Sequence, residues 1–373
     1  MSVLRLLVTV PWGSADGGAE TMLDTFLSSL SAREVEPHIV FLADGPWRPE
    51  LAHRGIRTSL VRSGRLRDGR QFAATVRRLR HMLEEQRPDI LLNWSSKTHL
   101  YGGIAALHSS VPVVWWQHGM PSSTWLDRMA TMIPADAIGC SSVASAEAQR
   151  RLRPRRPVLT VHPGVQEPAA ATIRNETRAG LGFGDEPVIG IVGRLQPWKG
   201  QDRLIRALQI LHQRGCEAKL LVVGGSAFGL SLGYADELIA LAREAGLDKH
   251  VLFLGQRDEP GPLIEAMDVL VNASEGEPFG IVLIEAMARR TPVVAVDAGG
   301  PREIITHEET GMLARSGSAP DLANAVEPLL KDATLRSQLT AAAHETVLER
   351  FSASGMATEM VRKLAVVAGN GYR

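Results

Sequence analysis

Short apolar stretches alternate with amphipathic stretches along most of the chain. Seven runs rich in Val, Ile and Leu occur in the first half: LRLLVTV, PHIVFLA, RTSLV, DILLNW, PVVWWQ, DAIGCS and VLTVH. Five more occur in the second half: VIGIVG, AKLLVVGG, HVLFLG, DVLVNA and PVVAV. Continuous apolar strands separated by helices are typical of buried parallel sheets. The pattern therefore predicts an α/β fold.

A pause in this alternation indicates a domain boundary. The segment QEPAAATIRNETRAGLGFGDEP, residues 166–187, is rich in Ala, Gly and Pro, and the alternation restarts after it. A length of 373 residues also favours two domains over one. We expect an N-terminal domain over residues 1–165 and a second domain that starts at residue 166. Ligands of parallel sheets bind at the carboxyl ends of the strands, so two such domains would share a central cleft.

The cysteine content and the charge distribution bear on the cellular compartment and on possible partners. They leave the fold prediction unchanged. The two cysteines, Cys140 and Cys216, are far apart in sequence, which argues against a disulfide framework and predicts a cytoplasmic protein. No run approaches the roughly 18 apolar residues that a membrane span needs. Residues 1–165 carry 20 Lys and Arg against 14 Asp and Glu, including a cluster from Arg77 to Arg80 on a predicted helix. A solvated helix face explains this cluster, and contact with an anionic membrane is the alternative.

The stretch EGEPFGIVLIEAM places two glutamates around a predicted strand-to-helix turn. Free N–H groups at the start of the helix, from Phe279, Gly280 and Ile281, can donate to hydroxyl or phosphate oxygens. Glu277 lies beside these donors. Glu285, further along the helix, can reach back to accept from a vicinal diol such as that of a ribose. A nucleotide sugar needs acceptors of this kind at both ends.

A second motif, GRLQPWKG, follows the strand VIGIV. It delivers two cations, Arg194 and Lys199, at the carboxyl end of that strand. An arginine binds phosphate oxygens in a bidentate fork and a lysine supplies a point charge. Together with the two glutamates, the motif predicts a site for a nucleoside diphosphate.

These motifs resemble those of the retaining glycosyltransferases of the family 4 type, which have the GT-B fold. The segments GRLQPWKG, EGEPFGIVLIEAMA, TPVVAVDAGGPREII and GMLA occur in the order and spacing of that family. The resemblance covers essentially the whole chain. It implies two Rossmann-like domains whose parallel sheets face a central cleft, with the donor domain over residues 166–350. It also implies a C-terminal helix over residues 351–373 that crosses back to the N-terminal acceptor domain.

The resemblance implies a role for each matching residue of the second half. Residues that match Arg194 and Lys199 bind the donor diphosphate, and the residue that matches Glu285 binds ribose hydroxyls. The turn over residues 277–281 would engage the transferred sugar and phosphate. Backbone near Arg257 would hold the base.

The first half carries two further matches. Gly17 and Gly18, in PWGSADGGAE, resemble the glycine turn that approaches the donor phosphate. His118 follows the strand PVVWW, where related enzymes place a histidine near the transferred sugar. We assign it positioning and transition-state contact and no proton transfer. The expected catalytic groups are His118, Glu277, Arg194 and Lys199.

Two polar loops of the first half, NWSSKTHLYG and HGMPSSTWLDR, are expected to face the acceptor. Their candidate contacts are Asn93, Lys97, Thr98, Trp125, Asp127 and Arg128. Hydroxyl groups, an aromatic wall and a carboxylate suit a polyol, whereas a lipid acceptor requires an apolar groove and membrane contact. The loops therefore favour a small soluble polyol or natural-product acceptor, with a membrane lipid as the alternative.

The implied reaction is transfer of a hexosyl group from a nucleoside diphosphate sugar, with UDP favoured over GDP, to an acceptor hydroxyl with retention. Since Arg194 and Lys199 stabilise the leaving diphosphate, we expect no metal and no other cofactor. The expected partners are the nucleotide-sugar donor and a small-molecule acceptor, and no nucleic acid. Glu277 is the candidate nucleophile, although a sugar-hydroxyl ligand is the favoured role. A nucleotide-sugar epimerase and a non-catalytic nucleotide-sugar-binding protein are the alternatives.

Overall fold

The structure is a computed structural model that describes residues 3–15, 17–31, 33–64, 67–122, 124–168, 174–225 and 233–369, without the side chain of Leu126. The chain forms two compact units. The N-terminal unit comprises Met1–Gly164 and Ala353–Arg373, and the C-terminal unit comprises Val165–Ser352. These bounds lie within two residues of the boundaries expected from the sequence.

The N-terminal unit is built on a sheet of seven parallel strands. In chain order they are β1 (Leu4–Val10), β2 (Val35–Phe41), β3 (Arg57–Leu60), β4 (Ile90–Asn93), β5 (Val113–Gln117), β6 (Ala137–Cys140) and β7 (Val158–Thr160). The strand order is β3-β2-β1-β4-β5-β6-β7, with every neighbouring pair parallel. The order reverses between β1 and β4, and parallel sheets bind ligands at such a reversal.

The C-terminal unit repeats this arrangement with six parallel strands. They are β8 (Val188–Val192), β9 (Lys219–Val223), β10 (Val251–Gly255), β11 (Val269–Asn272), β12 (Val293–Val296) and β13 (Met312–Ala314). The order is β10-β9-β8-β11-β12-β13, so the reversal lies between β8 and β11. All twelve apolar runs form strands, which confirms the predicted α/β fold with two parallel sheets. The short strand β13 was not predicted as a strand.

Helices connect the strands in both units. In chain order they are α1 (Gly18–Ser28), α2 (Trp47–His53), α3 (Gly69–Gln86), α4 (Ser96–Ala105), α5 (Trp125–Met132), α6 (Val143–Arg151), α7 (Arg174–Gly180), α8 (Gln201–Gln213), α9 (Tyr234–Glu244), α10 (Gly261–Ala266), α11 (Ile281–Ala288), α12 (Pro301–Ile304), α13 (Ala319–Lys331), α14 (Ala333–Arg350) and α15 (Ala353–Val367). The last helix, α15, belongs to the N-terminal unit, where it contacts α1.

Helix α3 illustrates how the sequence sets these elements. The carboxylate of Asp68 accepts a hydrogen bond from the backbone N–H of Gln71 and so caps the helix. The apolar stripe that includes Leu79 and Leu83 is buried, whereas Arg77 to Arg80 contributes exposed arginines. Such a stripe follows from apolar residues that recur with the 3.6-residue period of a helix. Within the described residues, no helix combines the length and the apolar character that crossing a bilayer requires.

Candidate functional site

The turns that follow β8 and β11 lie against each other in the C-terminal unit. The backbone N–H of Glu275 donates to the carbonyl of Trp198 at 3.2 Å. Gly200 has φ of +77°, and a Cβ atom added to it would lie 2.5 Å from the carbonyl oxygen of Ala273. Glycine is required there on both counts. The glycine therefore lets helix α8 begin directly beside the end of β11, at the strand reversal.

An ion pair joins the two turns. Lys199 Nζ donates to Glu277 Oε2 at 2.7 Å, and the two side chains are only 19% and 9% exposed. Asn272 Nδ2 contacts the same carboxylate oxygen at 3.4 Å. The ammonium group also lies 4.2 Å from the ring centroid of Trp198. Lys199 and Glu277 were predicted to bind different parts of one ligand, and in this structure they form an ion pair with each other.

Arg194 lies in the turn after β8 and is half-buried. Its backbone carbonyl accepts a hydrogen bond from Gln201 Nε2 at 2.9 Å. Gln201 is 1% exposed, and its Oε1 atom has no hydrogen-bond partner in the described part of the chain. The recess beside it is lined by polar groups of Lys199, Asn272 and Ser274. The structure therefore brings both predicted cations to the same strand end.

The turn that carries Glu277 is held by two glycines that follow β12. The backbone N–H of Gly300 donates to the carbonyl of Glu277 at 2.9 Å. Gly299 has φ of +64°, and a Cβ atom there would lie 2.5 Å from the same carbonyl oxygen. A Cβ atom on Gly300 would lie 2.3 Å from Phe279 Cα. The segment DAGGP thus fixes the backbone of the glutamate turn.

Phe279, Gly280 and Ile281 contribute to this site through the backbone. The side chain of Phe279 is 2% exposed and packs on Phe351, with ring centroids 5.7 Å apart. Gly280 has φ of +102° and immediately precedes α11. The first N–H groups of a helix have no partner inside the helix. Binding of a ligand oxygen by these backbone groups stays a prediction.

Glu285 is half-buried in α11, and its carboxylate accepts no hydrogen bond from the residues that the structure describes. Burial raises the pKa of this carboxyl, and the charge of Arg289 acts in the opposite direction. A bound diol would supply hydrogen-bond donors that the described residues do not give this carboxylate. Arg257 is exposed, and its side chain donates to the carbonyl of Gln256 at 3.1 Å. Its predicted part in base binding depends on the neighbouring backbone.

His118 follows β5 in the N-terminal unit and packs on Trp94. Its ring centroid lies 4.6 Å from that of Trp94, which stacks on Trp116 at 5.4 Å. Burial lowers the pKa of His118 to about 3, and the hydrogen bond to the Trp94 backbone acts in the opposite direction. Its Nε2 atom has no partner among the described residues. A neutral imidazole suits the predicted role in positioning.

Gly17 precedes α1 as its N-cap, and Gly18 is the first helical residue. The carbonyl of Gly17 accepts from the N–H of Thr21 at 2.9 Å. A Cβ atom on Gly17 would meet only the flexible carboxylate of Glu20, at 2.8 Å. Its φ of −147° is open to any residue. The described chain does not require glycine here, so close approach of a ligand stays the predicted reason for it.

Two of the predicted acceptor contacts are wrong. Asn93 is 0% exposed. Its Oδ1 atom accepts from Thr9 Oγ1 at 2.8 Å, and its Nδ2 atom lies 3.4 Å from His99 Nδ1. Thr98 is also 0% exposed and forms a capping box with Ser95 at the start of α4. Both side chains satisfy buried polar groups of their own unit. They are therefore structural residues and cannot reach an acceptor.

Lys97, Trp125 and Arg128 remain accessible. Lys97 Nζ lies 4.4 Å from the ring centroid of Trp12, and burial lowers the pKa of this lysine. Trp125 is 72% exposed, and Arg128 is exposed one turn further along α5. The structure places them in the N-terminal unit, and their contact with an acceptor stays a prediction.

The carboxylate of Asp127 accepts hydrogen bonds from the loop that precedes α5. Its Oδ2 atom accepts from the backbone N–H of Ser122 at 2.9 Å and from Thr124 Oγ1 at 2.9 Å. The hydroxyl of Ser122 adds a third contact at 3.1 Å. These bonds fix the start of α5. An acceptor could use only the second carboxylate oxygen, so the predicted contact is weakened.

Sequence reasoning missed several residues of the C-terminal site. Asn272 and Gln201 orient the turns, and Gly299 and Gly300 support the glutamate turn. A signal was present for Asn272, because a polar residue ends the otherwise apolar strand DVLVN. The segment DAGGP is part of a motif quoted above, but only the tertiary structure shows that Gly299 contacts Glu277, 22 positions earlier.

Comparisons with known proteins agree with this arrangement. The family described as Glycosyltransferase Family 4 matches residues 16–167, and the family described as Glycosyl transferases group 1 matches residues 173–346. HepE from Anabaena, solved in complex with UDP and glucose, is 26% identical with a TM-score of 0.87 and covers 97% of this chain and 99% of its own.

Two curated relatives extend the comparison. The lipopolysaccharide core biosynthesis glycosyltransferase LpsE of Rhizobium meliloti is 27% identical over 94% of this chain and 96% of its own length. The D-inositol 3-phosphate glycosyltransferase of Rhodococcus erythropolis is 38% identical over 53% of this chain, a match that spans 46% of that relative. The chain thus belongs to the glycosyltransferases of the GT-B fold.

Proposed function

We propose that the protein transfers a hexosyl group from a UDP-sugar to an acceptor hydroxyl, with retention at the anomeric carbon. The observation that carries this proposal is the Lys199–Glu277 ion pair beside Arg194, at the strand reversal of the C-terminal unit. A diphosphate and a sugar hydroxyl are the ligand groups that these cations and this carboxylate can bind together.

In the proposed reaction, binding of the donor separates the Lys199–Glu277 ion pair. The diphosphate takes Lys199 and Arg194, and Glu277 then accepts from a hydroxyl of the transferred sugar. Glu285 accepts from the ribose diol. As the glycosidic bond breaks, the diphosphate gains negative charge, and preorganised cations stabilise that charge where it develops. The acceptor oxygen bonds to the anomeric carbon, and its proton passes to the departing phosphate oxygen. We propose no metal and no other cofactor for this step.

UDP is the proposed nucleotide ahead of GDP. HepE, which was solved with UDP and with UDP-glucose, is 26% identical to this chain over 97% of its length. The proposed acceptor carries a polyol or sugar hydroxyl. One set of relatives is named for D-inositol 3-phosphate and another relative for lipopolysaccharide core biosynthesis. A lipid-borne acceptor is the second candidate, and the exposed apolar side chains of α5 favour it.

A thermal shift experiment tests the donor assignment. A ligand that binds only the folded state at 100 times its Kd stabilises by about 2.7 kcal/mol. We expect UDP to raise Tm clearly and GDP to raise it less. Equal or greater stabilisation by GDP would reverse the choice of base.

Product analysis then separates the reaction classes. With UDP-glucose and a panel of polyols and sugars, we expect an α-linked product, identified by its anomeric proton signal. Conversion of the donor alone into another nucleotide sugar would indicate an epimerase. Donor binding with no turnover on any acceptor, including lipid-linked saccharides, would indicate a binding protein.

The two glutamates should respond differently to amidation. Glu285→Gln is expected to weaken binding of free UDP about tenfold, because an amide accepts fewer hydrogen bonds from a diol than a carboxylate does. Glu277→Gln is expected to keep or strengthen UDP binding, because Lys199 no longer has to leave an ion pair at 2.7 Å. Calorimetric titration of both variants measures this. The reverse result would place the two carboxylates at the wrong ends of the donor.

A further inference from the structure

Arg203, in the first turn of α8, reaches across to the end of strand β11. Its Nη2 atom donates to the carbonyl of Ala273 at 2.7 Å. Its Nη1 atom lies 3.9 Å from Glu275 Oε2, two residues further along the chain. Ala273 is buried, whereas the Glu275 side chain is mostly exposed. Because exposed ion pairs contribute little, the bond to the buried carbonyl is the stronger of the two contacts.

Two glycines from separate segments leave room for the guanidinium group. A Cβ atom on Gly200, just before α8, would lie 2.6 Å from Arg203 Nη2. A Cβ atom on Gly317, just before α13, would lie 3.2 Å from Arg203 Nε and 2.7 Å from Glu275 Oε1. The planar group is therefore enclosed on two sides, so packing as well as hydrogen bonding sets its position.

The same turn of α8 also holds the cation turn, residues 194–199. Gln201 Nε2 donates to the carbonyl of Arg194 at 2.9 Å, and the Gln201 side chain is buried. Gln201 and Arg203 thus each hold one backbone carbonyl, the first in the cation turn and the second at the end of β11. Since both side chains leave one helical turn, α8 sets the distance between the two motifs of the donor site.

The Lys199–Glu277 ion pair depends on that distance. Lys199 lies two residues before Gln201, and Glu277 lies four residues after Ala273. Release of the Ala273 carbonyl would let the end of β11 and the glutamate turn move away from α8. A misplacement of about 1 Å can cost 100-fold in rate. The reach of Glu277 therefore depends on a guanidinium group whose contacts lie elsewhere in the turn.

Stability of the fold alone gives a weak reason for an arginine at this position. The Nε atom of Arg203 is buried and has no hydrogen-bond partner among the described residues. A buried donor without a partner costs free energy. An apolar side chain of similar volume is often as stabilising as a charged group of this kind. The carbonyl that the arginine holds is therefore the better explanation for it.

We propose that Arg203 is a positioning residue of the donor site, which holds the end of β11 so that Glu277 stays within reach of Lys199. The inference rests on the proposed function, because the same ion pair carries that proposal. Arg203 lies outside the segment GRLQPWKG and acts through the backbone of the neighbouring strand end.

Steady-state kinetics with UDP-glucose test the proposal. Arg203→Ala is expected to lower kcat at least about tenfold, because the glutamate turn shifts. The Kd of UDP, measured by calorimetry, should change less than about threefold, because Arg194 and Lys199 remain in place. Arg206→Ala is the matched control, since Arg206 is exposed on the same helix, and it should turn over like the unaltered chain.

Rescue separates positioning from loss of stability. Guanidinium chloride, far below the concentrations that unfold the chain, should restore part of the rate of Arg203→Ala, and potassium chloride should not. Arg203→Lys keeps the charge and loses the planar fork, so its kcat should lie between those of Arg203→Ala and the unaltered chain. Equal kcat in Arg203→Ala and Arg206→Ala would overturn the proposal. A loss of rate that follows a lower Tm and is restored by neither guanidinium nor lysine would also overturn it.

A double-mutant cycle in urea unfolding tests the positioning without any turnover. Lys199→Ala and Glu277→Gln, made singly and together, give the coupling of the ion pair. In the Arg203→Ala background this coupling should fall by about half or more, whereas Arg206→Ala should leave it unchanged. An unchanged coupling in the Arg203→Ala background would overturn the positioning role. Reduced coupling together with an unaltered chain that transfers no sugar would refute the proposed function and keep the positioning role.

Discussion

Replacing Lys199 by alanine is expected to lower turnover about 100-fold or more. Loss of one preorganised donor to a developing charge costs about 3 kcal/mol in comparable sites. The variant also removes the ion-pair partner of the buried Glu277 side chain. Because a buried carboxylate without its partner is costly, we expect a lower Tm in addition. Arg194→Ala should lower turnover to a similar extent.

A second substitution separates the two effects of the lysine. Lys199→Ala with Glu277→Gln removes the unpaired charge, so we expect Tm to recover while turnover stays low. Arg315→Ala is the matched control in the same unit, since the Arg315 side chain is 90% exposed, and it should leave both quantities unchanged. Steady-state kinetics and thermal unfolding measure the outcomes. Unaltered kinetics in both Lys199→Ala and Arg194→Ala would remove the diphosphate assignment.

The sequence predicts the sheets well because buried parallel strands are read as continuous apolar runs. The run DVLVNA forms β11, and every residue of β11 is buried. Strand β13 has only three residues, and its apolar run, MLA, is shorter than the run VLTVH that marks the equally short β7. The strand order seen in the structure places the ends of β8 and β11 side by side. The two motifs of the donor site lie at those ends.

Side-chain contacts across the sheet could not be predicted in the same way. Lys199 and Glu277 are 78 positions apart, and only the tertiary structure shows that they pair. Asn93 was assigned to the acceptor as part of the polar loop NWSSKTHLYG. It instead satisfies Thr9 and His99 inside the N-terminal unit. Composition does not distinguish a polar group that binds a ligand from one that binds its neighbours.

Gly300→Ala is expected to lower turnover about 100-fold by moving the glutamate turn. The backbone of Gly300 has φ of −60° and ψ of −36°, which alanine adopts freely, so the effect is one of space alone. The added Cβ atom would lie 2.3 Å from Phe279 Cα and 2.4 Å from the carbonyl oxygen of Pro278. These are backbone atoms, which cannot rotate out of the way as the end of a flexible side chain can. The turn that carries Glu277 must therefore shift, and a misplacement of about 1 Å can cost 100-fold in rate.

Gly180→Ala is the matched control for this steric argument. Gly180 lies in the same unit at the end of α7, and a Cβ atom there would meet no atom within 4 Å. We expect this variant to be neutral or slightly stabilising, by about 0.4–1 kcal/mol. Kinetics should be compared well below the Tm of each variant, so that a loss of rate reports on the turn and not on unfolding. If Gly300→Ala turned over donor like Gly180→Ala, the position of the glutamate turn would not control the reaction. Weaker UDP binding in Gly300→Ala would link the displaced turn to the N–H donors that precede α11.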